Sequence, residues 1–555
     1  MRRFHTELPV LSVSAIAVVL ILVLACASIA AESGDLAERL RRRLEASAES
    51  NALVVDGQQL FCTESLRRFY QRHGYASAWT HDRRPTAQVD SLLSVVLAAE
   101  CEGLDRFDYH FKPLSTLLNK SDSNRTLSDA ALADLDLLLT DAFLLLGAHF
   151  YAGHLDPESI DPEWTANRRS GDLSTILQEA LANQRVGAAL RELLPPQPGY
   201  ARLRTLLQEL RKLRDQGGWP IVPAGAKLQL GDTGPRVLAL DSRLRSSADR
   251  YAAAEFFNGA LADRVRRFQQ HHGLEIDGVV GPATLAALNV SVEDRIAQVM
   301  VNLERWRWLP QDLGRQHLLM NIADQRLQAF VDGQPVFESA VIVGRVQRRT
   351  PVFSGRIAYL VFGPFWEVPP SLAVQDKLPE LRRDLQRLID LGFQVLRGWG
   401  QAEEEIDPRT VDWNAVTAAS FSYRLRQKPG PQNALGSVKF MFPNKHNVYL
   451  HDTPSRDLFG KSSRAFSSGC IRVQRPAELA RVLLADQPVW TSEAIEIAMT
   501  TAQDRTVYIK ASWMVHLEYW TAWVEPDGTA QFRDDIYGRD ARVLSSLKEA
   551  PNTSP

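Results

Sequence analysis

The sequence predicts a multidomain α+β chain: a helical N-terminal scaffold, a compact three-helix module, and a mainly β C-terminal domain interrupted by a helical insert. Three observations carry this. At 555 residues the chain is too long for a single core. Apolar residues recur at three- and four-residue spacing up to about residue 215. Beyond about residue 310 short extended runs broken by turn residues take over. Hydrophobic residues make up 45% and charged residues 23%, the composition of an ordinary globular protein. The net charge of -2 supplies no basic field for nucleic acid, and none is expected as a partner.

The first segment reads as an export signal. Arg2, Arg3 and His5 precede an apolar run from Val10 to Leu24, and the small residues Ala25, Ala27, Ser28, Ala30 and Ala31 follow. Residues 1–31 are expected to be either a leader cleaved after Ser28-Ile29-Ala30 or an uncleaved inner-membrane anchor over residues 8–31, because the run is nearly long enough to span a bilayer. Val23-Leu24-Ala25-Cys26 resembles a lipoprotein box, but Leu24 fits it poorly. Of the four cysteines, Cys26 falls in this leader. Cys62 and Cys101 are candidates for a disulfide in an oxidising compartment. Cys470 is left without a partner.

Residues 35–215 are expected to form the helical scaffold. Ser128 can cap a helix in which Leu132, Leu135, Leu139, Ala142 and Leu146 recur on one face. Gly153 would end it, and Asp156-Pro157 opposes continuation. "QGGWPIVPAGAKL", Gln216 to Leu228, reads as a linker. Residues 226–290 then form the compact module: a turn at Gly231–Gly234, a helix with Val237, Leu240 and Leu244 on one face, a second helix stopped at Gly273, an Asp277-Gly278 turn, and a third helix starting near Pro282. Leu228, Gly231, Asp232 and Gly234, followed by Phe268, Gln269, Gly273, Leu274, Asp277, Gly278, Gly281, Pro282 and Thr284, resemble the signature of the three-helix peptidoglycan-binding domain. The insertion Ser246–Gly259 is longer than that pattern expects.

Residues 295–540 make the last domain, with residues 541–555 as a tail. A helix over "RIAQVMVNLERWRWLP" leads into it. Asp332-Gly333 is a hairpin signal, and Val515, Leu517, Tyr519 and Trp523 alternate with outward positions. Between Trp366 and Phe440 lies the insert, about residues 370–430, where Leu378, Leu381, Leu385, Leu388 and Leu391 keep helical spacing until Gly392. A helical lid over a cleft is the expectation.

The chemistry concentrates at "SSGCIRV", Ser467 to Val473. A lone cysteine is most often a small buried hydrophobe. Here, however, Tyr449 and His451 share one strand face upstream, and an imidazole beside a thiol can take its proton. Gly469 permits a tight turn, and N–H groups around Gly469 and Cys470 are candidates for an oxyanion hole. A zinc site from His446, His451 and Cys470 lacks a fourth ligand, so no metal and no cofactor is expected.

"YLHDTP…RAFSSGCIRV" resembles the L,D-transpeptidase catalytic domain: a histidine, a loop, then Ser/Thr-His-Gly-Cys, an apolar residue and arginine. Ser468 stands where a second histidine is usual, which matches the large periplasmic branch of the YcbB type. "FWEVPPSLAVQDKLP", "IDPRTVDW", "PGPQNALG" and "DDIYG" extend the resemblance. It implies Cys470 as nucleophile and His451 as base. Ser468 and Gly469 would lie at the oxyanion site, with Arg472 on a substrate carboxylate or anchoring the loop, and Tyr449 and Trp366 as cleft walls. The implied substrate is the peptidoglycan stem peptide, the implied compartment the periplasm. The alternative is a wall-binding scaffold that keeps the fold without catalysis.

Overall fold

The computed structural model describes residues 36–46, 53–122, 127–165, 169–245 and 255–549. The expected leader or anchor, Cys26, residues 246–254 of the module's insertion and the end of the tail lie outside them. No helix among the described residues is long and apolar enough to cross a membrane.

Two units are distinguished, the first comprising residues up to 155, 169–196 and the C-terminal segment from 547, the second residues 156–168 and 197–546. In the first, the helix Asp129–Ala152 starts where Ser128 Oγ accepts the Ala131 N–H and stops at Gly153, whose φ is 90°. One apolar stripe was expected; instead this helix is buried nearly all round. It carries two buried carboxylates that serve backbone groups with no ladder to join. Asp136 accepts the Tyr70 hydroxyl at 2.6 Å and the Ala78 N–H at 2.9 Å. Asp141 accepts the Cys62 N–H at 2.8 Å and bonds His110 Nε2 at 2.7 Å. Cys62 and Cys101 are both free thiols, so the disulfide considered from sequence is absent. Cys62 is sealed at the start of the Thr63–Arg72 helix, whereas Cys101 lies in the 3₁₀ turn Ala99–Glu102.

The helix Pro198–Asp215, expected with the N-terminal scaffold, belongs to the second unit. A Cβ on Gly199 would stand 2.7 Å from the Trp306 ring, and Arg202 Nε donates to the Val524 carbonyl at 2.9 Å. Next comes the three-helix module: Pro235–Leu244, Gly259–His271 and Pro282–Leu288, two of them opening on proline. Its signature residues hold one another. The Gln269 carboxamide donates to Asp277 Oδ1 at 2.7 Å and to Thr284 Oγ1 at 3.2 Å, and accepts the Gly278 N–H at 2.9 Å.

The helix Val292–Arg307 leads into a ten-stranded sheet, eight strands of which close into a ring. Its strands are β1 (Gln316–Asn321), β2 (Arg326–Val331), β3 (Gln334–Gly344), β4 (Val352–Phe362), β5 (Val438–Met441), β6 (Leu450–His451), β7 (Ile471–Val473) and β8 (Arg505–Glu518). The order around the ring is β5-β6-β7-β3-β2-β1-β8-β4, closed by β4 on β5. Within the ring β6–β7 and β1–β8 pair in parallel; outside it, Trp164–Thr165 pairs in parallel with β4 and Ala465–Ser467 with β3. Asp332 and Gly333 turn β2 into β3 with φ of 50° and 75°, the two-residue hairpin expected. The alternation expected near the end of β8 fails: Val515 to Glu518 are buried on both faces. His516 is held by Ser354 Oγ at 2.8 Å and the Leu313 carbonyl at 2.9 Å, so a polar residue sits where solvent was expected.

The insert departs from expectation as well. It is not helical throughout but an α+β unit. A four-stranded sheet (Trp366–Glu367, Phe393–Arg397, Glu404–Ile406 and Arg424–Gln427) backs two short helices, Leu378–Arg383 and Leu385–Asp390. Asp384 breaks the helical run, with φ -154°, and caps the second helix through the Arg387 N–H. The insert has a core of its own, from Ala373, Leu378, Leu381, Leu388, Val395, Trp413 and Leu425. Extended segments after Gly392 carry too few apolar residues to show the period-two pattern in sequence.

Candidate active site

The parallel pairing of β6 with β7 builds the site. Leu450 stands opposite Ile471 and His451 opposite Arg472. Residues opposite in register share a face, as do residues two apart on one strand. Tyr449, His451, Cys470 and Arg472 therefore form one patch at the end of two strands. The Ile471 N–H donates to the Tyr449 carbonyl at 3.1 Å, which extends that register back to Cys470.

His451 is buried, and its Nδ1 lies 2.5 Å from the Asp452 carbonyl. A carbonyl only accepts, so Nδ1 carries the proton and Nε2 keeps its lone pair. The orienting partner is thus a backbone carbonyl. Burial pushes the His451 pKa down to about 3, Arg472 pushes the same way, and the Asp452 and Leu435 carbonyls oppose them. Asp452 is fixed by its own carboxylate, which accepts the Ser437 N–H at 2.9 Å. Gly436, the last residue of "PGPQNALG", has φ 61°, and a Cβ there would lie 2.4 Å from Asp452 Oδ2.

Cys470 is half-buried, its Sγ 3.7 Å from the Asn447 carbonyl. Burial pushes its thiol up to about 11, while contacts with Tyr449 and the charge of Arg472 pull it back. At rest the thiol and the imidazole are therefore both neutral. Tyr449 engages both Cys470 and Trp366, which brings Trp366 to the site. Trp366 also packs against the insert's core, its ring centroid 6.0 Å from that of Phe393. Among the described residues the buried Nε of Arg472 has no hydrogen-bond partner, so anchoring the loop is not what occupies that atom.

The turn before Cys470 differs from expectation in one donor. Gly469, at φ 113°, gives its N–H to Ser467 Oγ at 3.1 Å, so this expected oxyanion donor is engaged within the loop. Ser467 Oγ in turn donates to the Cys470 carbonyl at 2.5 Å. Ser468 accepts from Arg348 Nη1 at 3.1 Å. His446 bonds Thr165 Oγ1 at 3.1 Å instead of joining His451 and Cys470 in a metal site. Sequence reading missed the loop between β3 and β4 that cradles the turn. The Arg345 N–H donates to the Ser467 carbonyl at 3.0 Å, and Thr350 Oγ1 donates to the Gly469 carbonyl at 2.8 Å. Its only signal is "VGRVQRRT", polar residues between two strands, and those read as an ordinary connection.

Comparison with known proteins shows what these domains are similar to. The model of the L,D-transpeptidase catalytic domain, YkuD, matches residues 315–491, which contain the whole patch. A peptidoglycan binding domain model matches residues 233–288 and a scaffold domain model residues 64–207. A predicted L,D-transpeptidase of Haemophilus influenzae is 35% identical over 254 residues, 46% of this chain and 50% of that protein. The chain thus spans about half the length of the curated relative it matches. Among solved structures, an L,D-transpeptidase of Xylanimonas cellulosilytica aligns at 18% identity over 53% of this chain and 98% of its own, with a TM-score of 0.17. One of Stackebrandtia nassauensis aligns at 12% identity over 54% and 96%, with a TM-score of 0.21. Residues 315–491 are an L,D-transpeptidase catalytic domain of the YkuD family, carried on a chain that also holds a peptidoglycan-binding domain.

Proposed function

We propose that this protein is a peptidoglycan L,D-transpeptidase of the large YcbB-type branch, acting in the periplasm and forming 3→3 cross-links through a cysteine acyl-enzyme. The observation that carries this is the patch of Cys470, His451, Tyr449 and Arg472 on two paired strand ends. In the reaction His451 Nε2 takes the thiol proton as Cys470 Sγ attacks the carbonyl carbon of the third stem residue. Arg472 stabilises the sulfur anion. The tetrahedral oxyanion is met by the Cys470 N–H and the Ser468 hydroxyl. The imidazolium then protonates the D-alanine nitrogen, the C–N bond breaks and a thioester remains. An amine of a second stem peptide attacks the thioester, His451 accepts its proton, and the thiol reforms.

Arg472, with its unpartnered Nε, suits a carboxylate of the stem. Peptidoglycan is the partner on two counts, as substrate of the catalytic domain and as ligand of the module. The test is mass spectrometry after incubation with a small carbapenem and with disaccharide tetrapeptide. Acylation at Cys470, D-alanine release and a 3→3 dimer are expected. A protein that binds sacculi yet does none of these is a wall-binding scaffold.

A further inference from the structure

One guanidinium joins the insert to the nucleophile's loop. Arg348, in the loop between β3 and β4, grips the Asp376 carboxylate with both terminal nitrogens, at 2.5 and 2.7 Å. Nη2 also reaches Gln375 Oε1 at 2.8 Å, and Nη1 donates to Ser468 Oγ at 3.1 Å. Arg345 stands 3.9 Å from the same carboxylate. Gln375 and Asp376 lie in a π-helical turn, Ala373–Lys377, at the start of the insert. Such turns place an extra residue where a side chain must be aimed. The next residue, Lys377, lies over the rings of Trp366 and Phe393, 5.9 and 5.1 Å from their centroids. The insert therefore meets the site at two adjacent points, one ionic and one aromatic.

The Arg348 contact has a direction. Arginine only donates, so Ser468 Oγ accepts from it, and the serine keeps its own proton for a different acceptor. The positive charge sits one hydroxyl away from the position where this family usually has a second histidine. The turn itself is held by the same loop, through Arg345 N–H to Ser467 and Thr350 to Gly469. Moving Asp376 therefore moves Arg348, and with it the hydroxyl two residues before the nucleophile.

We propose that Arg348 is a positioning residue that couples docking of the insert, through Asp376, to the geometry of the Ser468–Cys470 turn. It rests on the acyl-transfer reading above, and its test separates the two. Arg348→Gln, Asp376→Asn and the double variant are compared in the full chain. Each single change should lower tetrapeptide cross-linking about tenfold in kcat, with KM within about twofold, and the double variant should be no slower than the slower single. Alkylation of Cys470 by iodoacetamide needs no acyl transfer. Its rate should shift by a common factor in all three variants, with melting temperatures within about 3 °C of wild type. Penalties that multiply in the double variant, or an Asp376→Asn protein that matches wild type in both assays, would overturn the coupling. A wild type that never cross-links would count against the reaction, while the alkylation rates would still decide the coupling.

Discussion

At the scale of residues, the site rests in its uncharged form. With the Cys470 thiol pushed up to about 11 and His451 pushed down to about 3, neither group is charged near neutral pH. The thiolate fraction then climbs with pH, so alkylation of Cys470 by iodoacetamide should rise about tenfold per unit between pH 7 and 9. A plateau across that range, read from pseudo-first-order rates, would mean a standing thiolate–imidazolium pair. His451→Ala should leave this profile in place yet abolish cross-linking, because the imidazole is needed to move the proton during attack. Cys470→Ser should abolish acyl-enzyme formation outright, checked by intact mass with a carbapenem. Arg472→Lys keeps the charge but loses the planar fork, and should raise KM for tetrapeptide about tenfold if that fork holds a carboxylate. The four patch residues were legible because the motif is local and a two-residue strand period is simple. The orientation of His451 by a main-chain carbonyl was not settled, since a backbone acceptor leaves no residue-type signal. The Gly469 N–H was misassigned because its acceptor, Ser467 Oγ, is a neighbour whose rotamer sequence does not specify.

At the scale of elements, the insert is the part least legible beforehand. Its leucine spacing announces helix, and helix is there, but Asp384 divides it and a four-stranded sheet follows. That sheet is short-stranded and rich in charged side chains, among them Arg424 bonded to Glu367 and Glu403. Apolar periodicity is therefore absent from it. The module's helices and turns, by contrast, were readable, because Gln269, Asp277, Gly278 and Thr284 lie close in sequence and hold one another. The insert's boundaries follow from β4 and β5. The Gly363 N–H donates to the Ser437 carbonyl at 2.9 Å, and Phe362 pairs with Val438. Entry and exit thus lie side by side, and residues 366–433 can be replaced by a short Gly/Ser bridge without parting the barrel. Removing only residues 376–428 would strand the Trp366–Glu367 strand without its partner Arg426–Gln427. The larger excision should leave Cys470 reactive toward a small acylating agent while cutting cross-linking at least about tenfold, since a closed site excludes water and favours the amine acceptor. A truncated enzyme that folds and cross-links at the full rate would show the insert to be a passive excursion.

At the scale of the second unit, module and catalytic domain are tied by specific contacts. His272 stacks on Phe532 with centroids 5.6 Å apart, and Arg295 lies over the same ring at 4.4 Å. Arg533 makes the polar tie: its Nε donates to Asp324 Oδ1 at 2.7 Å and its Nη1 to the His271 carbonyl at 2.9 Å. Gly273, read from sequence only as a helix stop, has a second reason to be glycine. Its φ is 65°, and a Cβ would lie 2.5 Å from Arg533 Cδ. Long-range contacts of this kind leave no trace in local spacing. Arg533→Ala removes a donor from a buried carboxylate and a carbonyl, and should cost about 2–3 kcal/mol. Gly273→Ala should displace the same arginine and add backbone strain. The two changes act on one tie, so the double variant should lose less than the sum of the singles. Urea unfolding of the full chain reads this directly, with tryptophan fluorescence reporting on the tie through Trp523, whose ring lies 4.7 Å from the Arg533 guanidinium. A module docked in this way unfolds with the catalytic domain in one transition. Separate transitions in the wild type, or strictly additive losses in the variants, would show instead that the module hangs on its linker and that Arg533 serves the catalytic domain alone.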